Sequence, residues 1–315
     1  MVKIALLFPG QGSQYPGMGK LLYDEYPEAK EIFDSADRIA GYDLKNKILT
    51  GSEEDLRRTV IAQPAIFTVS SAAFCAFAKR FPALGSRVAF VAGHSQGEYS
   101  ALFSAGVFDF QTGLKLVLYR GEFIQGSCEK TPGTMAAMLG FERAQLQKLC
   151  EESRNGQCLE MVNFNSPGQI VVAGAMKTVD ALLQKASAVP GTKAVALSVS
   201  GAFHSSLMNE ASRKMGEILK TANISDARVP VVSNRDAGPT MKSEEIRQNL
   251  VGQIDHPVLW EDSIQTMIRG GAETFVEIGP GRVLSGLVRK IDRKKNTLNV
   301  EDPDSLNRTL QALGR

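Results

Sequence analysis

R-V-A-F-V-A-G-H-S-Q-G-E-Y-S-A-L-F-S-A-G, residues 87–106, is the stretch that decides the fold. Residues 88–92 form a short apolar run closed by a glycine, as expected of a strand buried on both faces of a parallel sheet. Residues 98–105 read as a helix with small side chains along one side. Between them Gly93-His94-Ser95-Gln96-Gly97 makes G-x-S-x-G. Strand, G-x-S-x-G, helix is the context that holds a serine on a sharp turn with its hydroxyl exposed. The two glycines let strand and helix approach without a Cβ clash. The Ser95 hydroxyl then lies near a helix N-terminus, where backbone N–H groups favour developing negative charge. Ser95 is therefore a candidate nucleophile; the alternative is a capping serine in a glycine-rich turn.

Upstream, Lys3–Phe8 is an apolar strand followed by Pro9-Gly10-Gln11-Gly12-Ser13-Gln14. Two nucleotide-binding fingerprints fail there. G-x-G-x-x-G needs glycine where Tyr15 stands, and a Walker loop ending at Gly19-Lys20 needs glycine where Gln14 stands. What remains is a loop at the carboxyl end of a strand, where open α/β sheets place ligand-binding groups. Gln11, between two glycines, is a candidate for reaching a neighbouring site. Residues 21–41 are expected to be helical, and Ser52 to cap the next helix with Asp55. Gln63-Pro64 is expected to interrupt that helix, which resumes over residues 65–81. Residues 109–125 form another helix, with Arg120 at the edge of its apolar stripe. The spacing favours a side chain snorkelling to solvent; the other reading is a guanidinium offered bidentately to a carboxylate.

The chain changes character over residues 133–199, where the expected order is β-α-β-β-α-β, a ferredoxin-like unit. Its last strand is placed at residues 192–199. Beyond it the α/β pattern returns, with a helix at residues 207–222 and a strand at 274–278 running into Gly279-Pro280-Gly281. The fold class is α/β: a large, α/β-hydrolase-like domain with a parallel-sheet core, spanning residues 1–130 and 200–315, with an inserted ferredoxin-like subdomain at 131–199. An inserted domain makes a cleft with its host, a common location for ligands.

Composition removes other classes. Across 315 residues the chain is 43% hydrophobic and 22% charged, with net charge +2. That is an ordinary globular balance, with no electrostatic case for nucleic acid or a membrane surface. Apolar runs fall short of ~18 residues, so no membrane span is expected. Met1-Val2-Lys3 leads straight into strand, without a signal-peptide core, which points to the cytoplasm. Cys75, Cys128, Cys150 and Cys158 show no C-x-x-C pairing, so reduced thiols and no metal are expected.

A serine nucleophile needs a base, and only three histidines exist. His94 is adjacent to Ser95, and neighbouring side chains on a tight elbow diverge. His256 sits before Pro257 in a loop. His204, delivered by the Ser200-Gly201 break, is the choice. Between Ser95 and His204 the aspartates are Asp109, at a helix start, and Asp180, inside the small domain; Glu98 and Glu122 lie within helices. None makes a convincing triad acid, so a Ser-His dyad oriented by an amide or a backbone carbonyl is expected.

With these pieces assembled, the sequence resembles the malonyl-CoA:acyl carrier protein transacylases of type II fatty acid synthesis, relatives of polyketide synthase acyltransferase domains. The resemblance rests on F-P-G-Q-G-S-Q at 8–14, A-Q-P-A at 62–65, G-H-S-Q-G-E-Y-S-A at 93–101 and Y-R-G at 119–121. It continues through N-F-N-S-P-G-Q at 163–169, G-A-F-H-S at 201–205, V-E-I-G-P-G at 276–281 and L-N-V-E-D at 298–302. The resemblance implies an acylated Ser95, His204 as base, and the Gln253 carbonyl orienting His204. It further implies backbone N–H groups of Gln11 and Gln96 as an oxyanion hole and Arg120 on the malonyl carboxylate, with Asn165, Gln63 and Asn163 lining the cleft. The implied partners are malonyl-CoA and acyl carrier protein, with no cofactor. No long heptads are present, so a coiled-coil assembly is not expected; the chain is expected to be a monomer. One departure stands out: Gln96 occupies a position where many of the fatty-acid enzymes carry an apolar residue. The basic stretch 289–295 is read as docking an acidic carrier protein through Arg289 and Lys290, or else as a solvated helix end. Transfer to a polyketide carrier and serine hydrolysis are the alternative activities.

Overall fold

Apolar alternation gives way to continuous burial in the first strand, Lys3–Phe8, where every residue after Lys3 is inaccessible to solvent. A strand buried on both faces must be central, and this one is. In the computed structural model, which describes residues 2–314, the strands are β1 (Lys3–Phe8), β2 (Val88–Gly93), β3 (Gly133–Leu139), β4 (Leu159–Ser166), β5 (Gln169–Ala175), β6 (Lys193–Ala196), β7 (Val231–Val232), β8 (Pro239–Thr240), β9 (Ala272–Ile278) and β10 (Asn296–Val300). Six of them form one sheet in the order β10-β9-β1-β2-β7-β8. All its pairings are parallel except the two-residue β7–β8 ladder at the edge. The others form a separate antiparallel sheet, β4-β5-β3-β6. The outer limits expected at residues 1 and 315 lie outside the described residues.

Helices cover both faces of the parallel sheet, as parallel strands require. One core packs Phe8, Phe33, Phe67, Phe77, Tyr99 and Leu114 on one side; a smaller one packs Leu7, Trp260, Met267 and Phe275 on the other. The two sheets are stitched together by backbone bonds of residue 258 to β4, with Phe164 N donating to Val258 O at 2.9 Å and Val258 N to Val162 O at 2.8 Å.

Several expected boundaries are corrected. The helix expected at residues 21–41 is two helices, Lys20–Glu25 and Pro27–Ala40, because Pro27 opens a new first turn. Conversely, Pro64 does not interrupt its helix, which runs from Thr59 to Arg80. Residues 61–73 are buried on every side, and that packing outweighs the one hydrogen bond Pro64 cannot donate. This is the helix, among the described residues, long and apolar enough to cross a membrane, but 83% of its apolar window is buried inside the fold. The strand expected at 192–199 is shorter, Lys193–Ala196; Leu197 N still donates to Met135 O at 2.9 Å, and Leu197, Ser198 and Val199 line the central cavity. The helix Leu44–Thr50, strand β10 and helix Pro303–Ala312 carry no counterpart among the sequence expectations.

Candidate active site

β2 ends at Gly93, the helix Gly97–Ser104 starts four residues later, and the turn between them holds Ser95 at φ 51°. A non-glycine residue at positive φ is strained and persists only where its surroundings impose it. Two impositions are visible. A Cβ on Gly93 would fall 2.0 Å from the Gly97 carbonyl carbon, and one on Gly97 would fall 2.1 Å from Phe8 O. Strand, turn and helix thus touch backbone to backbone. In addition Asn234, fully buried beyond β7, grips the turn with its amide. Its Oδ1 accepts from Ser95 N at 2.6 Å and its Nδ2 donates to Gly93 O at 2.6 Å.

The Ser95 hydroxyl meets His204 Nε2 at 2.7 Å. His204 is itself at φ 61° and buried, and its Nδ1 lies 2.8 Å from the Gln253 carbonyl oxygen. A carbonyl can only accept, so the proton sits on Nδ1 and Nε2 is free to take one from Ser95. Burial first, then the positive charge of Arg120, push the His204 pKa down to about 3. The imidazole is therefore neutral at physiological pH, the state a base requires. The other histidines are elsewhere: His94 Nε2 meets Asn165 Oδ1 at 2.8 Å with its ring against Trp260, and His256 is half exposed beside Asp255.

Arg120 corrects the sequence reading most sharply. It does not reach solvent but is 1% exposed, because the helix Phe110–Lys130 is covered on this side by the helix carrying Gln63. Its Nη1 donates to Gln63 Oε1 at 2.8 Å; Nη2 donates to Gln253 Oε1 at 3.0 Å and to Ser95 Oγ at 3.1 Å. Nε finds no partner among the described residues. Burial draws its pKa below the usual arginine value, with Tyr99 and Glu98 opposing. Among the described residues no carboxylate comes within ion-pair distance of this guanidinium. A buried cation held only by neutral acceptors is costly, and is set to gain from an anion that arrives with the substrate.

Around these groups lies a cavity of about 150 Å³, lined by Gln11, Gln63, His94, Ser95, Arg120, Asn163 and His204, with apolar walls from Ile124, Met135, Leu197, Val199, Phe203 and Ile254. A cavity of that size holds a molecule of about six heavy atoms, as a benzene-binding cavity does. Gln11 sits in the loop after β1, and a Cβ on its neighbour Gly10 would be 3.7 Å from Ser95 Cβ. The backbone N–H groups of Gln11 and Gln96 have no protein acceptor among the described residues. Asn165, expected in the cleft wall, stands one bond back from it: its Oδ1 meets Nε2 of His94, a lining residue, at 2.8 Å. Arg289 and Lys290 are exposed at the end of the helix Val283–Ile291, away from the cavity lining, and Lys290 Nζ reaches Gln169 Oε1 at 2.8 Å.

The Gln96 side chain is fully buried with both amide atoms unpartnered among the described residues. An unsatisfied buried amide is destabilising, so Gln96→Leu is expected to raise stability by about 1 kcal/mol in urea unfolding. Because the backbone N–H stays in place, the rate of Ser95 acylation should be unchanged; a large fall would show that the amide side chain itself takes part.

Sequence reasoning missed Asn234, Glu98 and the side chain of Gln253. Glu98 is buried, and accepts from Gln253 Nε2 at 2.7 Å and from Asn234 N at 3.1 Å, both at Oε2. Burial pushes its carboxyl up to about 7 against the pull of those two bonds. The one available signal was position: Asn234 follows a short strand at the carboxyl edge of the sheet, beside β2.

A strained serine on a nucleophile elbow, a neutral histidine at hydrogen-bond distance and two free backbone donors on a parallel α/β sheet define the chemistry of a serine-dependent acyltransferase. The family model for the acyl transferase domain matches residues 5–302, and the chain belongs to that family. It is 42% identical over 314 residues to the malonyl CoA-acyl carrier protein transacylase of Bacillus subtilis (strain 168), covering 99% of this chain and 98% of the relative. Its structure matches the acyl-carrier-protein-S-malonyltransferase of Bartonella henselae with a TM-score of 0.95 at 35% identity, over the full length of both chains. It also matches PlMCAT, a malonyl-transacylase solved in complex with AntF, a type II PKS acyl-carrier protein, with a TM-score of 0.93 at 36% identity, covering 98% of this chain and 99% of that one.

Proposed function

We propose that this acyltransferase moves a malonyl group from malonyl-CoA to the phosphopantetheine thiol of acyl carrier protein, through a malonyl ester on Ser95, supplying fatty acid synthesis. The observation that carries the choice of acyl group is Arg120: a buried guanidinium without a carboxylate partner among the described residues, 3.1 Å from the Ser95 oxygen. Malonyl-CoA carries its anion two bonds from the thioester carbon, so attack by Ser95 brings the carboxylate to Arg120. Malonyl has six heavy atoms, which suits the cavity. Acetyl-CoA would leave the cation unpaired, a loss of the kind that gives polar sites their strong discrimination.

In the first half-reaction Ser95 Oγ attacks the thioester carbonyl and its proton passes to His204 Nε2. The tetrahedral oxyanion faces the free N–H groups of Gln11 and Gln96. The C–S bond then breaks, and the proton on His204 leaves with the CoA sulfur as the thiol. In the second half the carrier's thiol gives its proton to His204, its sulfur attacks the ester, and the C–O bond breaks as the proton returns to Ser95. The Gln253 carbonyl holds the imidazole through both. We read the β3–β6 sheet with its two helices as a ferredoxin-like subdomain set into a hydrolase-like domain between residues 131 and 199; its order β4-β5-β3-β6 supports this. In this reading Gln63 and Asn163 line the acyl cleft, and Arg289 and Lys290 dock the acidic carrier protein in the cytoplasm. A carrier protein of a polyketide synthase is the second acceptor, favoured by the likeness to PlMCAT.

Incubation with malonyl-CoA and the carrier protein of fatty acid synthesis is expected to yield malonyl-carrier protein, seen as a mass gain on the carrier. Consumption of malonyl-CoA to free malonate, without labelled carrier of either kind, would instead make the protein a hydrolase.

A further inference from the structure

Among the described residues no carboxylate bonds the Ser-His pair, yet a buried carboxylate stands one residue removed from Ser95, His204 and Arg120. Glu98 Oε2 accepts from Gln253 Nε2 at 2.7 Å and from Asn234 N at 3.1 Å. Each of these two residues then touches the site twice or more. Gln253 gives its backbone carbonyl to His204 Nδ1, its Oε1 to Arg120 Nη2, and a second Nε2 bond to Ser95 O at 2.9 Å. Asn234 holds Ser95 N and Gly93 O, the two ends of the strained turn. One carboxylate oxygen therefore ties the residue that orients the base to the residue that imposes φ 51° on the nucleophile.

We propose that Glu98 is a positioning residue for acyl transfer, acting through Gln253 and Asn234 to hold Ser95 and His204 in register. It does not touch the reacting atoms. An acid in the first turn of a helix ordinarily does no more than favour the helix N-terminus. Glu98 departs from that role because its Oε2 accepts from the Gln253 side-chain amide and the Asn234 backbone N–H rather than from its own helix. The amide of Gln253 also serves as a spacer. It links the carboxylate to Arg120 without letting the two ion-pair, so the guanidinium stays oriented but keeps its capacity for the substrate's carboxylate. The proposal rests on the acyl-transfer reading of Ser95, and the experiment separates the two.

Rapid-quench intact mass at varied malonyl-CoA concentration gives the maximal rate of adduct formation on Ser95 and the half-saturating concentration. The wild-type protein is the control for the reading itself: if it forms no adduct, the acyl-transfer reading fails before Glu98 is tested. Given a wild-type adduct, Glu98→Ala is expected to lower the maximal rate about 10²-fold, the cost of a misplaced reacting group, with half-saturation within about threefold. Glu98→Gln keeps an oxygen acceptor for both bonds and should restore the rate to within about fivefold of wild type. Where Glu98→Ala does not fold, Glu98→Asp decides: it keeps a carboxylate but shortens the side chain, withdrawing the oxygen from Gln253 Nε2 and Asn234 N while the Gln253 bonds to Arg120 and Ser95 stay available, and should slow the maximal rate at least about tenfold. Wild-type rates in folded Glu98→Ala or in Glu98→Asp would overturn the proposal. So would a Glu98→Gln variant as slow as Glu98→Ala.

Discussion

His204→Ala is expected to slow acylation of Ser95 by about 10⁴-fold, at the upper end of what a positioned general base would contribute. The magnitude is set high because no second base is available: among the described residues the only titratable side chains whose polar atoms reach the Ser95 hydroxyl are His204 and Arg120, and the latter can only donate. The pH dependence of the wild-type enzyme is expected to carry the same signature. His204 has its pKa lowered from 6.5 to about 3, so the neutral base persists as pH falls through 6.5, and kcat/KM for acylation should show no inflection there. When a malonyl carboxylate pairs with Arg120, one of the charges that depresses the imidazole is offset. The inflection in kcat should therefore lie above that in kcat/KM. Linkage gives a stability consequence with a definite sign. The unfolded state binds the imidazole proton at pH values where the folded state does not, so stability is lost as pH drops from 6.5 toward 3. His204→Ala removes that contribution and should be less acid-sensitive in urea titrations over this window. An inflection near 6.5 in wild-type kcat/KM would contradict the buried, neutral base.

Arg120→Ala is expected to cut kcat/KM for malonyl-CoA by about 10²–10⁴-fold, since leaving one partner of a buried charge pair uncompensated costs ~3–5 kcal/mol. The same change should raise the use of acetyl-CoA relative to malonyl-CoA, because the penalty of an unpaired guanidinium disappears with the side chain. Arg120→Lys should recover little, since an ammonium cannot present the planar fork that spans Gln63, Gln253 and a carboxylate together. Parallel measurement of kcat/KM for the two thioesters checks this. An equal fall for both would mean that Arg120 supports the fold or the nucleophile and does not select the acyl group.

The elbow was legible in the sequence because it is local: a buried strand, two glycines and a helix within 20 residues of chain admit few other structures. Arg120 was misjudged for the opposite reason. Its place at the edge of a stripe describes its own helix, and burial came from Thr59–Arg80, an element whose continuity Pro64 disguised. The clamp of Asn234 on Ser95 spans 139 residues, and the bond between Gln253 and Glu98 spans 155. No periodicity records a side-chain bond over such distances. Strand β10, N-T-L-N-V, escaped because its pattern is weak and its existence depends on pairing with β9. Asn165 shows the same limit, since its bond to His94 spans 71 residues.

The most direct test of a covalent malonyl-Ser95 intermediate is intact mass of the protein after brief incubation with malonyl-CoA, with Ser95→Ala treated alongside. A malonyl adduct on the parent that is absent from the variant, and that a carrier-protein thiol discharges, is the predicted result. An unmodified parent that still passes malonyl to the carrier, or an adduct that survives in Ser95→Ala, would contradict the account.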